Sequence, residues 1–431
     1  MTAARHPSGT TGVGVVGCGR ISPAYLTAPE RFPGLRIVAC ADVDPARAAA
    51  RGEQFSVPVS PDVDSLLARP DVDVIVNLTP PARHAEVSMA AIRAGKSVYA
   101  EKPLATDREE AASVLRLARQ AGVEVGCSPD TFLGPPLQTA RRMLDQNAIG
   151  RPVGAVACFT SAGPELRHPD PGFLYEQGAG PLLDMGPYYV TALVSLLGPV
   201  VRVSGAATSG QDRRLVMAGP ARGSTVPVSV PTHVTANLEF ANGVVCSLIT
   251  SFDVWAARLP RIEIYGTEGS LSLPDPDGYE GRVLLRQAGW TQWREAEGPR
   301  FPAGRGIGLA DLALAARLGD RPRADGRLAR HVLDVLLSVL ESAEHGTHQD
   351  VASTCPRPRP VGPTGITEST GSTASTGATE STASAAGTGS TGSTGSTGAT
   401  ESTASAAGTA STASTASTAS TGEETEDDRD A

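Results

Sequence analysis

The chain has 431 residues, 40% of them hydrophobic and 19% charged, with a formal charge of −9 at neutral pH. That length suffices for two domains with cores of their own. Nine acidic residues and one arginine lie from Thr364 onward, leaving the body near −1, so composition argues against a nucleic-acid partner and against an anionic membrane surface.

The six cysteines, Cys18, Cys40, Cys127, Cys158, Cys246 and Cys355, are scattered, without a C-x-x-C pair or a histidine at ligand spacing. This speaks against a disulfide framework and a bound metal, and suits a reducing cytoplasm. The N-terminus MTAARHPSGTTG lacks an apolar targeting core, and no run approaches the ~20 residues of a membrane span. The expectation is a soluble cytoplasmic protein.

From Gly12 to about Ser128, short apolar runs alternate with helical spacing. Val13–Val16, Leu35–Ala41, Val72–Leu78, Ser97–Ala100 and Val123–Cys127 read as strands, and Ala82–Ala94 and Arg108–Gln120 as helices. That pattern predicts an α/β domain over residues 1–128, a parallel sheet covered on both faces. Its first turn, Gly17-Cys18-Gly19-Arg20-Ile21-Ser22, is a dinucleotide fingerprint with serine in the third glycine's place. Gly17 permits the tight turn, Gly19 admits a pyrophosphate, and the helix opening at Arg20 and Ile21 offers N–H donors. Asp42 ends the second strand, where an acid bonds the adenosine ribose and repels a 2′-phosphate; this favours NAD over NADP. The plainer role of Asp42, capping the helix near Pro45, is better filled by Asp44.

The turn Asn77-Leu78-Thr79-Pro80-Pro81-Ala82-Arg83-His84 lies at a strand's carboxyl end and so lines the cofactor crevice. Thr79 and Pro80 are cofactor contacts there. Thr79 also suits a helix cap, and His84 is a positioning or helix-surface residue. Next comes Glu101-Lys102-Pro103. Only two lysines, Lys96 and Lys102, stand against thirty-five arginines, and an amine, unlike a guanidinium, can lose its proton near neutral pH when desolvated.

This series, a fingerprint, an acid after the second strand, T-P-P-x-x-H and E-K-P, resembles the Gfo/Idh/MocA oxidoreductases. The resemblance implies a Rossmann domain binding NAD, with Lys102 beside the nicotinamide, a cis Lys102–Pro103 bond aiming it, and Glu101 and His84 among the cofactor residues.

Beyond Ser128 a helix near Pro136–Gln146 leads into alternating runs: Val153–Thr160, Val200–Thr208, His233–Phe240, Val244–Phe252, Arg261–Gly266 and Val283–Leu285. Hairpin signals at Asn242-Gly243 and at Gly266–Gly269 predict a largely antiparallel sheet in an α+β domain, residues 129–353. The run IEIYGTEGSL is similar to the family's second domain, whose open sheet face implies a homo-oligomer. Within Gly178–Tyr189, spacing predicts a helix from Asp184 to Leu197, with Asp184 and Tyr188 one turn apart; taken alone, the pair is better explained by an N-cap role for Asp184 and a core role for Tyr188. The stretch resembles the family's G-G-G-x-x-x-D-x-x-x-H with tyrosine for histidine, as in glucose–fructose oxidoreductase and the dihydrodiol and xylose dehydrogenases.

Charge then suggests a mechanism. Oxidising a secondary alcohol sends a hydride to the nicotinamide while a base takes the hydroxyl proton. A phenol is a poor base unless cations lower its pKa. Tyr188 is therefore assigned as proton donor or acceptor and Lys102 as electrostatic partner or relay, an exchange of the two remaining open. Asp184 orients the substrate or Lys102. Asp130 and Tyr175 are substrate candidates, the latter in a lid with Phe173 and Glu176. The substrate class is a sugar, a polyol or a related small molecule such as an aromatic dihydrodiol. Two alternatives stand: a redox-neutral enzyme that retains NAD, as in glycoside cleavage, and a non-catalytic dinucleotide-binding regulator.

From residue 354 a Ser/Thr/Gly/Ala tail is expected, almost pure in that composition after Thr364. The segment Ser375–Thr388 recurs at Ser396–Thr409, and with nothing apolar to bury the tail is expected to be disordered.

Overall fold

The computed structural model of the protein describes residues 9–366. The repeat-bearing tail lies outside the described residues.

The first sheet is five-stranded and wholly parallel, in the order β2-β1-β3-β4-β5. Its strands are β1 (Thr11–Val16), β2 (Leu35–Ala41), β3 (Val74–Asn77), β4 (Ser97–Ala100) and β5 (Val125–Cys127). The connecting helices are α1 (Ser22–Leu26), α2 (Ala28–Arg31), α3 (Pro45–Phe55), α4 (Val63–Leu67), α5 (His84–Arg93) and α6 (Arg108–Ala121). The caps are written in the sequence. Asp44 accepts from Ala46 N at 3.0 Å and Arg47 N at 3.4 Å, and Asp107 does the same for α6 before Gly122 closes it at φ +68°. Alternation sorts the strand residues onto two faces. Val13, Val15, Val74, Val76 and Tyr99 pack with Tyr25, Ala28 and Phe32; Val16, Ile75, Val98 and Ala100 pack against α4, α5 and α6.

After α7 (Pro135–Asp145) comes β6 (Pro152–Thr160), then α8 (Gly180–Leu197), β7 (Val200–Thr208), the hairpin β8 (Arg213–Leu215) and β9 (Thr225–Pro227), β10 (His233–Phe240) and β11 (Val245–Ser251). The chain continues through β12 (Ile262–Gly266), β13 (Gly269–Leu273), β14 (Leu284–Gln287), β15 (Arg294–Glu295), α9 (Ile307–Leu318), α10 (Gly326–His345) and β16 (Gln349–Asp350). Nine of these strands form a sheet in the order β15-β14-β13-β12-β6-β11-β10-β7-β16. It is antiparallel except where β11 runs parallel to β6. One face packs on α7 and α8. The other carries Val245 and Tyr265, which both stand opposite Gly154 of β6 and are both exposed.

Two expectations are corrected here. The helix holding Asp184 begins at Gly180, not Asp184, because Gly180-Pro181 supplies the opening turn; Asp184 is therefore inside the helix and caps nothing. Residues 354–363 are packed, not tail. Cys355 and Val361 are buried, Val361 N donates to Gln138 Oε1 at 2.7 Å, and Arg357 reaches Asp145 at 2.8 Å.

α9 and α10 come late in the chain yet cover the first sheet. Cys127 N donates to the Ala324 carbonyl, just before α10, at 3.0 Å, and Leu333 joins the core under β4 and β5. No helix among the described residues is long and apolar enough to cross a membrane.

Candidate active site

The carboxyl ends of the parallel strands gather the fingerprint and the two later turns. Gly17 sits at φ +99°, and a Cβ there would stand 2.7 Å from the Leu78 backbone, so only glycine makes this turn. A Cβ on Gly19 would meet nothing within 4 Å, which leaves open backbone of the kind a pyrophosphate approaches. Ser22 is buried and its Oγ donates to the Gly19 carbonyl at 2.8 Å, tying the turn together in the third glycine's stead. Arg20 is exposed and Ile21 half-buried beside it.

Asp42 is held against this turn. Its Oδ2 accepts from Cys18 N at 2.7 Å and its Oδ1 from Asp44 N at 2.9 Å. It does not cap α3; Asp44 does. The residues thus fit a dinucleotide: an uncrowded glycine turn with a fixed carboxylate at the end of β2.

At the next strand end, Thr79 does not cap a helix as one reading of the sequence had it. Its Oγ1 donates to Asn77 Oδ1 at 2.6 Å, while Asn77 Nδ2 donates to the His84 carbonyl and to Ser88 Oγ, both at 3.0 Å. Pro80 is exposed. His84 is corrected from cofactor contact to latch: it is buried, with Nε2 at 2.7 Å from the Thr79 carbonyl and Nδ1 at 2.6 Å from the Pro103 carbonyl. Both ring nitrogens are occupied, so it joins the two cofactor-side turns and has no atom free for a ligand.

The Lys102–Pro103 bond is cis. Glu101 accepts from Tyr25 Oη at 2.7 Å and faces Arg305 at 3.3 Å. Lys102 turns the other way, its Nζ 2.6 Å from Asp184 Oδ1 and 2.7 Å from the Asp184 carbonyl, with 18% of the side chain exposed. Burial disfavours the ammonium, yet Asp184, Tyr188 and Glu101 outweigh it and hold the Lys102 pKa above its ordinary value. The expectation that desolvation would free this amine of its proton is therefore corrected: the adjacent carboxylate keeps it charged.

Tyr188 lies one turn beyond Asp184, its ring centroid 5.6 Å from Lys102 Nζ. The residue is 6% exposed, and its hydroxyl makes no hydrogen bond to protein among the described residues. Burial pushes its pKa up to about 12, against the pull of Lys102 and Arg305. Cations were expected to make this phenol a base; burial outweighs them.

Two substrate candidates are corrected. Asp130 is fully buried, accepting from Tyr279 Oη and from Gly308 N at 2.9 Å, so it pins α9 and not a ligand. Tyr175 is also fully buried and donates to Glu165, which pairs with Arg214 at 3.2 Å, beneath the β8–β9 hairpin. A core aromatic cannot serve as a lid; Phe173 and Glu176 beside it are exposed. Tyr25, Asp277, Tyr279 and Arg305 were missed. Tyr25 lies on α1 and the other three in irregular segments; none belongs to a motif, and no signal in the sequence marks them.

Comparison with known proteins follows the same division. Residues 11–128 match the family described as "Oxidoreductase family, NAD-binding Rossmann fold", and residues 137–272 match "GFO/IDH/MocA C-terminal domain". The chain is 33% identical to a dTDP-3,4-didehydro-2,6-dideoxy-alpha-D-glucose 3-reductase of Streptomyces violaceoruber, over 63% of this chain and 80% of the relative. It is 29% identical to a 1,5-anhydro-D-fructose reductase of Ensifer adhaerens, over 70% of this chain and 86% of that one. A solved levoglucosan dehydrogenase, in complex with NADH and L-sorbose, superposes with a TM-score of 0.69 at 23% identity, covering 80% of this chain and 99% of that one; this likeness is one of fold.

Proposed function

The chain belongs to the GFO/IDH/MocA oxidoreductases, and from that premise we propose that it exchanges a hydride between NAD and a secondary alcohol of a sugar or polyol. The observation that carries this reading is the meeting of Lys102, from the dinucleotide-binding side, with Asp184, one turn before Tyr188 on α8. The names of the two relatives given above, both sugar reductases, support the substrate class.

In this reading residues 1–128 hold the dinucleotide and residues from 129 on hold the substrate. Gly17, Gly19, Arg20 and Ile21 take the pyrophosphate, Asp42 the adenosine ribose, and Thr79, Pro80, Glu101 and Lys102 the nicotinamide side. The bound nicotinamide supplies a hydride acceptor or donor at its C4. Lys102, held charged by Asp184, stabilises negative charge developing on the substrate oxygen. Tyr188, a neutral phenol at neutral pH, is set to give that oxygen a proton in the reducing direction. Oxidation needs the same proton returned to Tyr188, which a neighbouring cation assists. Asp42 favours NAD over NADP, since a 2′-phosphate would face a fixed carboxylate. The exposed apolar residues on the outer face of the nine-stranded sheet support a homo-oligomer through that face.

The test is NADH absorbance with purified protein, run in both directions on neutral sugars and polyols. Turnover that follows the sugar supports the reading. A nucleotide that binds but never changes redox state with any of them overturns it.

A further inference from the structure

Two side chains that hydride transfer leaves unused sit beside this site: Arg305 at Glu101, and Asp277 two residues from Asp275, which binds Tyr189. The loop after β13 is pinned at both ends. Asp275 accepts from Tyr189 Oη at 3.3 Å and faces Arg261 at 3.3 Å, while Tyr279 donates to Asp130. Tyr189 is the neighbour of Tyr188 on α8, and Asp130 follows β5, beside the strand that presents Lys102. Asp277 lies midway between these anchors. Its side chain is exposed, and its carboxylate accepts no hydrogen bond among the described residues; only its backbone N–H is used, toward Asp275 Oδ1 at 3.1 Å.

Arg305 comes to the same place from the segment before α9. One guanidinium nitrogen faces Glu101 at 3.3 Å. The other donors have no protein partner among the described residues, although only 19% of the side chain is exposed. The charges of Arg305 and Lys102 act on Asp277, and those of Arg305 and Asp277 act on Tyr188, so the four share one electrostatic neighbourhood. A half-engaged guanidinium and a carboxylate without a partner among the described residues are thus open to a ligand beside the proposed site.

We propose that Asp277 and Arg305 bind the hydroxyls flanking the reacting carbon and so select an uncharged, polyhydroxylated ring. This rests on the oxidoreductase reading and names what that site recognises. A sugar hydroxyl both donates and accepts, so a flanking pair of them satisfies the carboxylate and the guanidinium together. Sites that bond a substrate hydroxyl reject the analogue lacking it, because their own polar groups are then left unpaired. Charge excludes the acidic sugars. Lys102 and Arg305 already face the carboxylates of Glu101, Asp184 and Asp277, and a uronate would add another negative charge to that excess.

The competing explanation makes Asp277 a solvated loop acid and Arg305 the counterion of Glu101 alone. Wild type, Asp277→Asn, Asp277→Ala and Arg305→Lys are compared on levoglucosan, D-xylose, myo-inositol and D-glucuronate, and on deoxy analogues of those turned over. Sugar affinity of the NADH-loaded protein is measured separately by calorimetry. Because the Asp277 carboxylate has no partner among the described residues, its removal should leave folding intact. Asp277→Ala should raise both KM and Kd for the neutral sugar by about 10- to 100-fold with kcat little changed. It should cost nothing against the analogue that lacks the flanking hydroxyl, and Asp277→Asn should narrow the discrimination against glucuronate. Unchanged KM and Kd in Asp277→Ala, or equal losses on sugar and analogue, overturn the proposal. A wild type that binds these sugars and turns none over sinks the redox reading alone, since the calorimetric comparison still decides Asp277; one that binds none of them sinks both.

Discussion

Lys102 Nζ stands 2.6 Å from Asp184 Oδ1, so the two halves of the chain are joined by an ion pair at the point where the proposed chemistry occurs. Burial alone would lower the lysine pKa, and the carboxylate reverses that. Asp184→Asn keeps the side chain's shape and removes the charge. The Lys102 pKa should then fall, because desolvation is no longer opposed. The expected outcome is a kcat lowered by about 10²-fold or more, with a new loss of activity on the alkaline side as the amine deprotonates. A pH–rate profile of the variant checks it.

Tyr188→Phe removes a hydroxyl that bonds no other described residue, so stability should hardly move. Turnover should drop by about 10²–10⁴-fold while NADH affinity stays as in the wild type. The sign of the pH dependence follows from a pKa raised to about 12. The protonated phenol is present below that value and lost above it, so reduction should be insensitive to this group across neutral pH. Oxidation draws on the deprotonated form and should accelerate with rising pH. Steady-state kinetics in both directions measure this.

Asp42→Asn tests cofactor choice. The amide oxygen can still accept from Cys18 N or Asp44 N, so the turn should keep its shape. The charge facing the ribose is lost, together with one of the two backbone hydrogen bonds, since the amide NH2 cannot accept. The ratio of NADH to NADPH affinity should fall by about tenfold or more, which a fluorescence titration reads directly.

Arg214→Met addresses stability. The guanidinium is 5% exposed and binds both Glu165 and Asp253 under the β8–β9 hairpin. Its loss leaves two carboxylates without their cation, at a cost of about 3–5 kcal/mol. Urea unfolding measures the loss. Adding Glu165→Gln should recover part of it, since one stranded charge is then gone.

How much of this was legible depended on how local the signal was. The parallel sheet, the glycine turn and the position of Lys102 follow from contiguous motifs, and strands such as Leu35–Ala41 and Ser97–Ala100 begin and end where their apolar runs do. Asp44 capping α3 was readable for the same reason. Asp130 and Tyr175 were misread because local context shows a polar group near a strand end or a loop but not what lands on it later. In Asp130's case the later arrivals are Tyr279 and Gly308, well over a hundred residues on. Arg305 is one of thirty-five arginines, and only folding distinguishes it from the rest. The helix start at Gly180 was missed because Asp184 resembles a cap, and Gly-Pro reads as a break as readily as an opening.

The lateness of α9 and α10 bears on how the protein is made. On the ribosome the five parallel strands emerge early, but the helices that shield β4 and β5 are translated some two hundred residues afterward. Until then those strands present bare apolar surface, an invitation to chaperones and to misassociation. A genetic fusion that ends shortly after Ser128 should inherit that vulnerability permanently.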